Sequence, residues 1–258
     1  HGWRVYMYAL AGGALVMATL TWMFTRDRSS PDIAAGVRAE GALRSLVRVA
    51  RRPQTLLIAL FILLVSGPLL AFGGLWGVPF TMALYGVDKP TAGFAVSLGL
   101  IGVAAGGPVW GWVSDRVGRR KPPIVAGSLI AALSLGVALY LPGLPFDLYR
   151  LLMFLYGFGG SAMIIAYALG REHNADGGVG GALGLINMCA VLSGAIFQPL
   201  IGIVLDWRWD GTMQAGARVY SLDAYADAFL VLPALYGVGV LIALAIRETR
   251  CRPVAVAP

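Results

Sequence analysis

The chain has 258 residues, of which 58% are hydrophobic and 13% are charged. Soluble domains usually have about twice that share of charged residues, so the composition excludes an ordinary soluble domain and predicts an all-α integral membrane protein. The formal net charge of +7 does not indicate a nucleic-acid partner, because the arginines stand in segments beside apolar runs, as topology determinants do.

Seven segments are long and apolar enough to cross a bilayer as helices, which takes about 20 residues. We predict them, in chain order, at about 5–25, 54–84, 91–113, 122–141, 148–170, 179–205 and 226–246. Glycine and proline interrupt the second segment, and Pro233 alone interrupts the seventh. Kinks are expected there, because neighbouring helices can satisfy the carbonyl that a proline frees.

The distribution of Lys and Arg predicts the orientation. If the loop 26–53 is cytoplasmic and the sides alternate from there, fifteen of the 20 Lys and Arg residues lie inside and five outside. Cytoplasmic loops carry the excess of positive charge. The chain is therefore predicted to lie in the cell membrane with an outer N-terminus and a cytoplasmic C-terminus.

The later part of that loop, residues 34–52, mixes arginines with aliphatic residues and predicts a short basic amphipathic helix. We expect it to lie on anionic lipid headgroups. A regulatory or partner-binding role is the alternative.

A tight charged turn joins the third and fourth segments. It matches the pattern G-x-x-x-D-R-x-G-R-R at every specified position, with Gly111, Asp115, Arg116, Gly118, Arg119 and Arg120. This turn resembles the signature loop of the major facilitator superfamily. The resemblance implies that these residues form a gate and scaffold rather than a solute site. Asp115 would brace the cytoplasmic closure against the N-terminus of helix 5 in the opposite half.

Other stretches indicate which part of such a protein is present. Residues 1–4 (His-Gly-Trp-Arg) resemble the lead into helix 6, and the basic loop resembles the connection between the two six-helix halves. The segments would then be helices 6–12 of a twelve-helix fold, with helices 1–5 as a missing partner encoded upstream. The implied domains are the last helix of the N-terminal bundle (1–25), a cytoplasmic linker (26–53), a C-terminal six-helix bundle (54–246) and a cytoplasmic tail (247–258).

A weaker resemblance concerns three stretches, 72–79, 171–174 and 198–202. They are similar to bacterial permeases grouped with the sugar-phosphate and organophosphate carriers. That grouping is mixed in substrate and therefore names no solute.

Polar residues inside the predicted spans are few. Asn187 and Gln198 stand eleven residues apart on the sixth segment, about three turns, so they share a face. Trp76 lies in the glycine-broken part of the second segment. The resemblance favours these residues as the lining of a central cavity, with hydrogen bonding between helices as the alternative. Further cavity candidates on the fifth segment are Tyr156 and Ser161, with Tyr167 eleven residues beyond Tyr156.

The resemblance implies a secondary transporter that moves a small polar or anionic solute across the lipid bilayer by alternating access. A non-transporting solute sensor or receptor on the same fold is the alternative. We expect neither an enzyme nor a cofactor, since the sequence shows no catalytic cluster, nucleotide-binding loop or metal-ligand spacing. No Asp, Glu, Lys or His lies in mid-membrane, so proton coupling, facilitation and exchange all stay open.

Overall fold

The computed structural model describes residues 2–25, 42–175, 178–214 and 216–254. Contacts between Cα atoms divide the chain into two compact units, 1–42 and 43–258. In the first unit the structure describes residues 2–25, which form the apolar helix α1 (Gly2–Phe24).

The elements that follow are mostly helical. They are α2 (Ala42–Ala50), α3 (Pro53–Ala71), a π-helical turn (Phe72–Trp76), α4 (Gly77–Tyr85), α5 (Lys89–Val117), α6 (Lys121–Tyr140), α7 (Phe146–Gly160), a 3-10 turn (Ser161–Ile164), α8 (Ile165–Glu172), α9 (Val179–Trp207), β1 (Met213–Gln214), β2 (Ala217–Arg218), α10 (Leu222–Phe229) and α11 (Val231–Ala245).

Within the described ranges, seven helical runs are long and apolar enough to cross a membrane, which confirms the predicted number. Their ends lie within four residues of the predicted ones. The chain is an all-α membrane protein, with one short hairpin between the last two runs that the sequence did not predict. The runs, called spans 1 to 7 below, are Arg4–Phe24, Pro53–Tyr85, Lys89–Val117, Lys121–Tyr140, Phe146–Glu172, Val179–Trp207 and Leu222–Ala245.

The regular α-helix is interrupted in two spans, close to a proline that cannot donate a backbone hydrogen bond. In span 2, Pro79 has no N–H to offer the carbonyl of Leu75, and the turn 72–76 just before it is π-helical. In span 7, Pro233 likewise leaves the carbonyl of Phe229 without its helical partner, and α10 ends at that residue. Both interruptions were expected from the sequence, whereas Pro68, where a kink was equally expected, lies inside the regular helix α3.

The unit 43–258 is a bundle built around close helix contacts. Span 5 packs along spans 3 and 4, span 6 packs along span 2, and span 7 crosses spans 2 and 4. A Cβ added at Gly157 of span 5 would overlap the backbone carbonyl of Gly99 in span 3. One added at Gly102 would overlap the carbonyl of Phe154. Glycine therefore lets these two backbones touch, as small residues do at membrane helix interfaces.

Aromatic rings fill the bundle beside the π-helical turn. The Phe80 ring lies 5.3 Å from that of Phe229 and 5.6 Å from that of Tyr225, centroid to centroid. Phe72, at the start of the π-helical turn, packs edge-on against Phe229 at 5.5 Å. Span 2 is thus held against span 7 where both helices are interrupted.

Candidate functional site

The signature turn begins where span 3 ends. Gly118 caps the helix with φ 67°, the left-handed conformation that favours glycine. Gly111, one turn before Asp115, has open space where a Cβ would stand. Arg120 is 9% exposed and lies inside the bundle, although the sequence alone does not distinguish it from its neighbours. The exposed charged residues of the turn are Asp115, Arg116 and Arg119.

Arg120 binds two carboxylates. Its Nη2 donates to Oε1 of Glu172 at 2.6 Å and its Nε donates to the same oxygen at 3.1 Å. Its Nη1 donates to Asp115 Oδ1 at 2.7 Å and to Ser114 Oγ at 3.0 Å. Burial opposes the charge, but the hydrogen bonds to Glu172 and Asp115 more than offset it, so the pKa of Arg120 is raised. Glu172 is buried, whereas the Asp115 side chain is 70% exposed.

The chain after span 7 folds back onto this pair. The Thr249 hydroxyl donates to the Glu172 carboxylate, and the Val254 N–H donates to the Glu172 carbonyl at 2.9 Å. Arg250 and Cys251 reverse the chain with φ of 52° and 58°. Such angles are uncommon for residues other than glycine, and the surrounding bonds hold them in place.

Glu248 caps the first turn of span 4. Its Oε1 accepts the Arg120 N–H and its Oε2 accepts the Lys121 N–H, each at 2.9 Å. The Arg250 N–H also donates to Oε1, at 3.0 Å. A carboxylate at a helix N-terminus satisfies free N–H groups and the positive end of the helix dipole. Burial alone would raise the pKa of Glu248, but these backbone bonds outweigh it and lower the pKa.

The start of span 2 joins the same end of the bundle through Asn174, which is fully buried. Its Nδ2 donates to the Thr55 hydroxyl at 3.0 Å, and its Oδ1 accepts from Arg52 Nη1 at 3.2 Å. The Gln54 side chain accepts the N–H of Arg247 at 2.7 Å. Every buried polar group named here has a partner, as interiors require.

Four segments therefore meet in one cluster, called the charge network below: 52–55, 114–121, 171–174 and 247–254. Sequence reasoning found only the second of them as a site. Glu172 and Asn174 belong to the stretch 171–174, for which the sequence showed only a weak family resemblance. Glu248 belongs to the segment that was predicted to be a cytoplasmic tail. Charged residues at the ends of successive spans indicated that ion pairs could form there, but the sequence does not predict which residues pair.

Acid should loosen the charge network in two steps. His173 donates from Nε2 to the Arg247 carbonyl, and burial lowers its pKa despite that bond and the nearby Glu172, which raise it. The unfolded chain therefore takes up a proton near pH 6.5 that the folded chain resists, and stability falls as the pH drops below 6.5. The Glu248 carboxylate stabilises the fold above pH 4.5, and its contribution is lost as the pH falls further.

The measurement is the unfolding midpoint in detergent as a function of pH. We expect His173→Gln to remove the step below pH 6.5 alone, since the glutamine amide can keep the bond to the carbonyl. Glu248→Gln should remove the step below pH 4.5 alone. Persistence of the upper step in His173→Gln would contradict this assignment.

Trp76 and Gln198, two predicted cavity residues, lie together and link spans 2 and 6. Trp76 Nε1 donates to the backbone carbonyl of Gln198 at 3.0 Å, and the Gln198 side-chain Nε2 donates to the backbone carbonyl of Leu70 at 2.9 Å. Both side chains are half-buried. This pair stands beside the π-helical turn, where the backbone of span 2 is least regular.

Asn187, the third predicted residue, is exposed on span 6. Its Oδ1 accepts a long hydrogen bond, 3.4 Å, from the hydroxyl of Tyr167 on span 5. Its Nδ2 makes no hydrogen bond within the described part of the chain. The side chain is thus only loosely held.

Tyr156 and Ser161 lie elsewhere. Both are 2% exposed, with the Tyr156 ring against Phe72 and the Ser161 hydroxyl donating to the Phe158 carbonyl at 2.6 Å. The 3-10 turn 161–164 adds roughly 80° of rotation relative to an α-helix, so Tyr156 and Tyr167 do not share a face as their spacing suggested. In this structure Tyr156 and Ser161 contact other helices rather than an open surface.

These features define a multi-pass α-helical membrane protein whose helix ends are tied by a buried ion pair. A family model described as the Major Facilitator Superfamily matches residues 1–198. The chain belongs to this superfamily, as the signature turn indicated.

Comparison with curated proteins places the chain among named sensors and transporters. It is 29% identical over 165 residues to the membrane sensor protein UhpC of Escherichia coli, covering 62% of this chain and 36% of that protein. It is 33% identical over 168 residues to the glucose transport protein of a Synechocystis species, covering 60% and 33%. It is 28% identical over 162 residues to the ascochitine biosynthesis cluster MFS transporter of Didymella fabae, covering 59% and 29%. The chain thus spans about a third of the length of these relatives.

Proposed function

We propose that these residues belong to a secondary transporter that carries a small polar or anionic solute across the cell membrane by alternating access. Superfamily membership and two relatives named for transport support this proposal. In it, span 1 is helix 6, spans 2 to 7 are the C-terminal bundle, and helices 1–5 complete the fold around a shared cavity.

The observation that carries the proposal is a polar face on span 6. Asn187 lies in the first third of this span and Gln198 in its last third, eleven residues and so about 16 Å apart. Each of these two residues accepts a hydrogen bond from a neighbouring span. Tyr167 donates to Asn187, and Trp76 donates to the backbone of Gln198. Between Asn187 and Gln198 on the same span, Val191 is 66% exposed. A solute between the two pairs would find hydrogen-bond donors at both ends and an apolar wall between them, the usual make-up of a ligand site.

The polar groups of this face are uncharged within the described spans. They suit hydroxyl, carbonyl or carboxylate oxygens of a solute, since the Asn187 amide and the second N–H of the Gln198 amide are available as donors. In this proposal, full neutralisation of an anion comes from helices 1–5. We propose that Trp76, Tyr167, Asn187 and Gln198 line the cavity. Tyr156 and Ser161 are not included, because both are buried against other helices.

We assign the charge network the task of keeping the cytoplasmic ends of spans 2, 3, 4, 5 and 7 in one rigid body. Alternating access requires each bundle to rock as a unit, and buried ion pairs with complete hydrogen bonding resist local separation. Exposed Asp115 is then available to the facing bundle, where it would brace the closed gate.

Uptake into proteoliposomes by the full-length protein tests the solute face. Gln198→Ala should raise the KM for solute about tenfold with a smaller change in kcat, because one to two hydrogen bonds to the solute are lost. Gln198→Asn should recover part of the affinity. Ser97→Ala is the matched control, because Ser97 is exposed on span 3 and bonds only its own helix at Gly93.

An unchanged KM in Gln198→Ala, with wild-type folding, would contradict the assignment of the face. Saturable solute binding without any uptake would contradict transport itself and indicate the sensor alternative.

A further inference from the structure

A basic hollow of about 540 Å³ lies between the start of span 4 and the segment that follows span 7. The two sides of the hollow are more than a hundred residues apart in the chain, so only the folded bundle creates it. Its lining residues are Arg119, Lys121, Pro122, Arg247, Glu248 and Arg250.

The charges around the hollow do not cancel. Four cationic side chains face one carboxylate, and both oxygens of that carboxylate already accept backbone N–H groups. Lys121 Nζ donates to the Leu244 carbonyl at 2.6 Å. The guanidinium groups of Arg119, Arg247 and Arg250 form no hydrogen bond or ion pair with the residues that the structure describes. The hollow thus offers three exposed guanidinium groups with unused donors.

The backbone is strained where it brings the last of these groups to the hollow. Arg250 has φ 52°, and its N–H is bound to Glu248 Oε1. The bond from Val254 to Glu172 secures the reversed chain. Strained backbone persists where the surrounding structure over-determines it, and it often marks a functional site.

An apolar surface begins directly beside the hollow. Leu244 and Leu241, in the last turns of span 7, are 56% and 66% exposed. In a bilayer these side chains contact acyl chains, which places the hollow at the depth of the lipid headgroups.

We propose that this basic hollow binds a phosphate group, presented by an anionic phospholipid or by a soluble phosphate compound. Guanidinium groups bind phosphate oxygens through paired hydrogen bonds and remain charged at all relevant pH values. A phosphate between Arg119 and the pair Arg247 and Arg250 clamps the start of span 4 to the chain after span 7. The site is separate from the solute face, and it holds whether or not the protein transports.

The test compares two triple variants of the full-length protein. Arg119→Gln/Arg247→Gln/Arg250→Gln empties the hollow. Lys89→Gln/Arg116→Gln/Arg171→Gln removes the same charge from exposed positions outside it. One arm counts phosphatidylglycerol retained in phosphatidylcholine nanodiscs by native mass spectrometry. The other titrates detergent-solubilised protein with inorganic pyrophosphate and follows its unfolding temperature.

We expect the hollow variant to lose about tenfold or more in affinity for phosphatidylglycerol, pyrophosphate or both. The control variant should lose less than about threefold, because its basic residues line no part of the hollow and act only through screened, long-range attraction. Loss in the lipid arm alone identifies a headgroup site, and loss in the pyrophosphate arm identifies a site open to soluble phosphates.

Equal losses in the two triple variants, or no loss in the hollow variant, would overturn the proposal. The unfolding temperature without ligand checks that each variant folds. Should the triple variant fail to fold, the single variants Arg119→Gln and Arg250→Gln give the same comparison against Arg116→Gln.

Discussion

Arg120→Met should lower the free energy of unfolding by about 3–5 kcal/mol, because the substitution leaves a buried carboxylate without its partner. Glu172 is 7% exposed, and its carboxylate accepts from Arg120 and from the Thr249 hydroxyl. Equilibrium unfolding in mixed detergent micelles measures the loss.

Two further variants make this prediction specific. Arg116→Gln changes an exposed arginine of the same turn and should shift stability by no more than about 0.5 kcal/mol. The double variant Arg120→Met/Glu172→Leu should recover at least half of the loss, since a buried ion pair can often be replaced by apolar side chains at little cost. If Arg120→Met is no less stable than Arg116→Gln, the buried pair does not hold the helix ends together.

Gly157→Ala is expected to destabilise the bundle by about 3 kcal/mol or more. The added methyl group would overlap the backbone carbonyl of Gly99, and neither backbone can give way without separating spans 3 and 5. This is a large effect for one carbon atom, and it arises because two backbones rather than flexible side chains are in contact. The same unfolding experiment measures it.

Gly136→Ala is the matched control on span 4. Nothing lies within 4 Å of a Cβ at that position, so the change should be neutral or stabilising by up to about 1 kcal/mol. Similar losses in both variants would show that helix contact at Gly157 is not what the substitution disturbs.

Hydropathy along the chain was sufficient to predict the membrane architecture. The number and ends of the spans follow from hydropathy and length, because a helix in lipid must bury about 20 apolar residues and satisfy its backbone internally. The signature turn could also be predicted, since a glycine-capped charged turn between two apolar runs is a local sequence pattern. The interruptions before Pro79 and Pro233 were visible for the same reason, because proline acts on its own helix.

The contacts of the charged and polar residues depend instead on how the helices pack in the folded bundle. Arg120 meets Glu172 across 52 residues and Glu248 across 128, distances over which a sequence pattern carries no geometry. The rotation of Tyr156 away from Tyr167 depends on four residues of 3-10 helix that no composition signals. Local hydrophobicity fixes which residues enter the membrane, whereas the packing of helix against helix fixes which polar groups become partners.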